Sequence, residues 1–220
     1  MISKKIKEGI KKKAKIFFND CSGCHDWTHV ERVNALALKI GRKERADLDV
    51  LEVAVLLHDI GRKEEMKNKG SLCHAEKGVE LAEKILKEYK IKKEDIENIL
   101  HCIETHRYRS NLKPKTIEAK VLFDADKLDS LGAIGIARDF LFAGFAGSNC
   151  LYRGNEKELA KNKKDYSYTE KDSALLEYEI KLKYIKNKML TNTGKKLAKE
   201  RDKFMKLYFK RFYKEIKGEL

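Results

Sequence analysis

Six histidines are spread over the 220 residues, and the carboxylates beside them decide what chemistry the chain can do. His58-Asp59 closes the apolar run Val53-Ala54-Val55-Leu56-Leu57 and is followed by Ile60-Gly61. A carboxylate behind such a run is drawn toward the interior. There it must pair, accept hydrogen bonds or bind a cation, because an unpaired buried charge is costly. Taken alone, the doublet reads as the polar end of a capped helix. It is not alone. His29 opens an earlier apolar pattern, and Asp126 follows Leu122 by four residues and Val121 by five. That spacing sets Asp126 at the border of a buried stripe. Two imidazoles and two carboxylates from three helices make a nitrogen and oxygen site that suits Mn, Fe, Co, Ni or Zn better than Ca. On an octahedral ion, four protein ligands leave positions for water and a substrate oxygen.

The elements that must carry these residues are helical. Val30, Val33, Ala37 and Ile40 recur at helical spacing and predict a helix from Thr28 to Gly41 or soon after. Asp49 is the expected cap of a helix bearing Val50, Val53, Ala54 and Leu57, with Gly61 as its left-handed stop. Further helices are expected over 74–89, 93–105, from about Thr116, and over 132–147. Residues 147–168 lack a period and read as a long loop. Two closing helices are expected at about 170–189 and 193–217, the second capped by Thr193. No segment reads as a strand. The expected fold class is all-α: one helical bundle over 1–220, with a motif core at about 25–145 and the basic C-terminal helices packed on it.

Composition excludes several classes. With 42% hydrophobic and 38% charged residues, the chain is too apolar for disorder and too charged for a membrane bundle. No stretch has signal-peptide or transmembrane character, so the expectation is a cytoplasmic protein with no membrane partner. Five cysteines without a secretory signal read as reduced thiols, and Cys21-Ser22-Gly23-Cys24 is a lone pair with no second pair to hold zinc. The net charge of +14 sits at the ends: residues 19–155 hold 23 charges of each sign. Nucleic acid attracted to those basic ends is one reading, and solvated lysine faces are the preferred one. There is no GxxxxGK[ST], no GxGxxG and no recognisable nucleophile motif, so phosphate-loop, dinucleotide and covalent chemistry have no support.

His29, His58-Asp59 and Asp126 match the pattern that names the HD superfamily of metal-dependent phosphohydrolases, which the chain resembles. The resemblance extends to His58-Asp59-Ile60-Gly61-Arg62, to His74-Ala75-Glu76-Lys77-Gly78 and to Ile103-Glu104-Thr105-His106-Arg107. It continues through Lys120 to Arg138 and Thr191 to Gly218. These resemble a branch of small bacterial and archaeal HD hydrolases, so that nearly the whole chain is covered. The resemblance implies an all-α bundle in which His29, His58, Asp59 and Asp126 hold one divalent ion (Mn, Fe, Co, Ni, Zn or Mg). It implies phosphate contacts for Arg62 and Lys63, and a water- or substrate-orienting role for Asp59 or Asp129. A salt bridge to Arg62 or Arg138 is the competing reading of Asp129. His74 and His106 either contact phosphate with Arg107 or hold a second metal bridged by Asp59. The single-metal form is preferred, because the longer two-metal signature is missing after His106. His25 is expected at the rim and His101 in local bonding. Tyr152, with Phe145 and Arg153 in its loop, is a candidate base contact. The implied activity is hydrolysis of a nucleotide or related phosphate compound by metal-activated water, with release of pyrophosphate from a nucleoside triphosphate as one form. Alternatives are a monophosphate phosphatase, a cyclic-nucleotide phosphodiesterase, or a non-catalytic module that senses nucleotide or binds nucleic acid.

Overall fold

A computed structural model describes residues 1–19, 24–68, 73–107, 112–161, 169 and 172–220. Cys21 to Gly23, most of the CxxC, lies outside the described residues, as do 162–168 and 170–171. Among the described residues every regular element is a helix, as the periodicity predicts. None is long and apolar enough to cross a membrane. The described cysteines are free thiols. The chain divides into two compact units, Met1–Asp126 with Leu190–Gly194, and Lys127–Met189 with Lys195–Leu220.

The first unit is built around one buried helix. Its elements are α1 (Lys4–Ile16), α2 (Trp27–Glu44), α3 (Leu48–Leu57), α4 (Arg62–Lys67), α5 (His74–Leu86), α6 (Lys93–Thr105) and the start of α7 (Ile117–Asp129). In α3, Val50, Leu51 and every residue from Val53 to Leu57 are buried. A helix that is apolar all round must be covered on all sides, and α1, α2 and α6 pack against it. Its cap is Asp47, two residues before the expected Asp49: the Asp47 carboxylate accepts from the Asp49 and Val50 amides at 2.9 and 3.2 Å. Asp49 instead binds the Ile2 amide and Lys7, which ties α1 to α3. The helix α2 runs past Gly41 to Glu44, because Gly41 serves packing and not termination. A Cβ there would stand 2.7 Å from Leu51 Cδ2.

Gly61 differs from expectation in the same way. Its φ is −84°, which any residue adopts. The constraint is proximity: a Cβ would lie 2.3 Å from the His74 carbonyl oxygen and 2.8 Å from the Gly78 nitrogen. Gly61 therefore lets the start of α5 lie directly on the turn after His58-Asp59. The helix α7 is held by Glu118, which accepts from the Asp47 amide at 2.7 Å and from Asn98 of α6 at 3.0 Å. The fully buried Asp124 accepts from the Leu190 and Thr191 amides, each at 2.8 Å, and from the Thr191 hydroxyl at 2.6 Å.

The second unit contains α8 (Gly132–Phe145), α9 (Glu156–Leu159), α10 (Ala174–Glu177), α11 (Lys183–Ile185) and most of α12 (Asn192–Ile216). The helix expected over 170–189 is broken by a π-helical turn at Tyr178–Leu182 and ends in a 3₁₀ turn at Lys186–Lys188. The apolar spacing at Leu175, Tyr178, Leu182 and Ile185 continues through the break, so periodicity does not register it. Tyr178 stacks on Phe209 of α12 with centroids 4.1 Å apart. Thr193 does not cap α12. The Thr191 hydroxyl accepts from the Gly194 amide at 2.9 Å, and the Thr193 amide donates to Glu44.

Gly61→Ala should destabilise the protein by about 1–3 kcal/mol, since the added carbon meets backbone on a second helix. Gly144→Ala, where nothing lies within 4 Å, should be neutral or stabilising by up to about 1 kcal/mol. Urea midpoints of the two variants measure the contrast, and equal midpoints would refute the packing role of Gly61.

Candidate metal centre

Four helix ends meet at one point in the first unit. His29 stands in the first turn of α2, where its amide is capped by Asp26 at 3.1 Å. His74 begins α5. His58 and His106 are the C-cap residues of α3 and α6. Each C-cap histidine turns its ring back on its own helix: His58 Nδ1 lies 2.7 Å from the Val55 carbonyl, and His106 Nδ1 lies 2.6 Å from that of Ile103. A carbonyl can only accept, so the proton of each ring sits on Nδ1 and the Nε2 lone pair points away from the helix. The negative ends of α3 and α6 thus face the same space, which favours a cation there.

Asp59 is the hub. It is buried, and its two oxygens face two different groups. Oδ2 lies 3.6 Å from His29 Nε2 and 3.8 Å from His58 Nε2, while Asp126 Oδ1 lies 3.5 Å from His29 Nε2. His29 and His58 Nε2 are 3.4 Å apart. Ligand atoms at about 2.1 Å from a shared ion stand roughly 3.0–4.2 Å from one another, so this donor set fits one divalent metal. On the other side, Asp59 Oδ1 lies 3.5 Å from both His74 Nε2 and His106 Nε2, which are 3.1 Å apart. Both groups, His29 with His58 and Asp126, and Asp59 with His74 and His106, have the donor geometry of a metal site.

Electrostatics agree with this division. Burial pushes His58 down to about 4, against the pull of the Asp59 charge. Burial and the Arg62 charge push His74 down to about 3. Both imidazoles are therefore neutral ligands at neutral pH. Burial alone would raise Asp59, but the Arg62 charge, with help from the surrounding imidazoles, holds it well below the usual carboxylate range.

Arg62 and Arg107 stand beside this cluster, held there by a residue that sequence reasoning misses. Arg62 clasps Asp59 through Nη2–Oδ1 at 2.9 Å and Nε–Oδ2 at 3.3 Å. It also reaches Glu65 through Nη1 at 2.6 Å. Glu65 lies 2.9 Å from His74 Nδ1 and 3.0 Å from Arg107 Nη2 and is 3% exposed. Burial would raise it, but the His74 ring and the charges of Arg62 and Arg107 hold it at about 2. In the sequence Glu65 belongs to Arg62-Lys63-Glu64-Glu65, a charged run that reads as solvent-facing.

The remaining candidates are placed differently. Lys63 Nζ donates to the Asn19 carbonyl at 2.9 Å. His101 Nε2 accepts from the Lys115 amide, in the local role expected for it. His25 Nδ1 stands 3.8 Å from Asp59 Oδ2, just before the Asp26 cap. In the second unit, Asp129 accepts from Arg138 at 2.7 Å, and Tyr152 sets its ring edge-on to Phe212.

The model of the HD domain matches residues 26–131. The protein YpgQ of Bacillus subtilis (strain 168) is 34% identical over 203 residues, which cover 90% of this chain and 88% of YpgQ. The chain belongs to the HD-domain family. The crystal structure of YpgQ in complex with ADP matches at a TM-score of 0.70 and 32% identity, over 96% of this chain and 95% of that one. An HD-superfamily hydrolase from Bacillus thuringiensis matches at 0.69 and 29%, over 97% of each chain. The all-α HD architecture is thus a hydrolase fold, and the two His/Asp groups lie within the HD span or at its edges.

Metal-stripped protein should lose stability as pH falls from about 6.5 toward 4. The unfolded chain takes up protons at ordinary histidine values while folded His58 and His74 do not, so each contributes up to about 1.4 kcal/mol per pH unit in that window. Asp59 and Glu65, held low, lose their contribution only below the ordinary carboxylate range. Urea midpoints at pH 7, 6 and 5 read this out, and a flat profile would contradict neutral burial of the two rings.

Proposed function

We propose that the protein is a divalent-metal-dependent phosphohydrolase that cleaves a nucleotide at a phosphoanhydride or phosphoester bond with water. The grouping of His29, His58 and Asp126 as metal donors, with His29 and His58 also facing one oxygen of buried Asp59 and with Arg62 and Arg107 nearby, carries this reading. His29, His58, Asp59 and Asp126 would hold the metal, which when bound supplies an activated water and a Lewis-acid hold on a phosphoryl oxygen. Arg62 and Arg107 offset the charge of the phosphate and of its leaving oxygen. Asp59 would also orient the attacking water. Lys63 and Asp129 take no part in this scheme, because their polar ends serve Asn19 and Arg138. The ADP complex of YpgQ supports a nucleotide as substrate. Among nucleotides, a triphosphate split to monophosphate and pyrophosphate is our first choice, ahead of a monophosphate or a cyclic nucleotide.

One observation favours a second reading at the inner group. His106 Nδ1 donates to a carbonyl and His74 Nδ1 lies 2.9 Å from a Glu65 oxygen, which leaves the two Nε2 atoms facing each other at 3.1 Å. A lone pair on each Nε2 offers a phosphate oxygen no proton to accept. A cation between them, either a shared proton or a second metal bridged by Asp59, satisfies both. Against a second metal stands the Arg62 guanidinium, which already occupies Asp59 Oδ1.

The test is turnover on a nucleotide panel after metal removal and reloading with Mn²⁺, Co²⁺, Ni²⁺ or Mg²⁺, with phosphate and pyrophosphate resolved. Activity should vanish with chelator, and Asp59→Ala should lower it at least about 100-fold, since both metal and water lose their anchor. Metal-independent turnover, or full activity in the variant, would refute the proposal. Metal titration of His74→Ala separates the two readings of the inner group: unchanged stoichiometry supports a proton there, and loss of one equivalent supports a metal.

A further inference from the structure

Arg62 serves two carboxylates at once. Its Nε and Nη2 form a fork on the two oxygens of Asp59, while Nη1 holds Glu65. A divalent ion on Asp59 would take over that negative charge and repel the guanidinium. An arginine with 13% of its side chain exposed would then turn outward unless something else kept it. We infer that Glu65 is the positioning residue that keeps Arg62 and Arg107 facing a substrate phosphate once Asp59 is committed to metal. The inference rests on the proposed phosphohydrolase reading.

The geometry supports it in three ways. Glu65 is itself pinned, by His74 Nδ1 at 2.9 Å on one oxygen and Arg107 Nη2 at 3.0 Å on the other. It joins residues that follow three different helices or turns: Arg62 in α4, His74 in α5, and Arg107 just after α6. One carboxylate against two guanidinium groups leaves a net positive charge. The Nε/Nη2 fork that Asp59 releases has the shape that clasps two phosphate oxygens. Glu65 touches neither metal nor substrate in this account and acts only through the arginines.

Pyrophosphate binding to Mn²⁺-loaded protein, measured calorimetrically at fixed salt, tests this without requiring turnover. Glu65→Gln should keep Mn²⁺ affinity within about threefold and weaken pyrophosphate binding by about 10–100-fold, the usual range for a residue that orients a contacting group. With a hydrolysed nucleotide, KM should rise more than kcat falls. Glu65→Asp, which keeps the charge on a shorter stem, should recover part of the loss. Wild-type pyrophosphate affinity in Glu65→Gln would overturn the inference. So would a parallel loss of Mn²⁺ affinity, pyrophosphate affinity and melting temperature, because that pattern marks a purely structural carboxylate. Wild-type protein that loads Mn²⁺ yet ignores pyrophosphate would instead defeat the phosphate-site reading, and the inference with it.

Discussion

A carboxylate buried at the end of the most apolar helix in the first unit is the constraint on which the site depends. Every residue of α3 from Val53 to Leu57 is buried, so the chain leaves this helix inside the protein and Asp59 is not in water. The charge must then be answered by the protein. It is answered by Arg62 from the next turn, by imidazoles from α2, α3, α5 and α6, and by the space for a cation between them. The close approach of α5 across Gly61 follows from the same need, since it carries His74 to within 3.5 Å of Asp59.

The helices place the donors through their ends. An imidazole at a C-cap finds a carbonyl of its own last turn with room for its proton, which fixes the tautomer without help from any other element. His58 and His106 use this device identically, each on the carbonyl three residues back. On the other side, the Glu65 carboxylate stands 2.9 Å from His74 Nδ1. The ligands are thus set before any metal binds, and burial keeps the His58 and His74 rings neutral at neutral pH. This is the preorganisation that a hydrolytic centre needs.

Much of this was legible in the sequence. The helical period sets every long element of the first unit, and four residue positions point to the HD pattern before any coordinate is known. Apolar burial leaves a periodic trace, and a polar doublet behind five apolar residues leaves a break in it. The unread parts lack such traces. Glu65 sits in a run of four charged residues, and nothing in composition distinguishes the one that turns inward. Gly41 and Gly61 read as helix stops, because a glycine that permits close packing has the same letter as one that permits a left-handed turn. The π-helical turn at Tyr178–Leu182 preserves the apolar spacing around it. Asp129 reads equally as a site residue or as half of a salt bridge, and the sequence does not show that Arg138 comes within reach of it.

The central claim is that buried Asp59 and its histidines are a metal centre, and diffraction tests it most directly. Crystals grown with Mn²⁺ should give an anomalous peak within about 2.0–2.3 Å of His29 Nε2, His58 Nε2, Asp59 Oδ2 and Asp126 Oδ1. A second peak between His74 and His106 would add the inner metal and leave the claim intact. No peak at the four-ligand position, with Arg62 still clasping Asp59 at saturating Mn²⁺, would contradict the account and return the cluster to a buried ion-pair network.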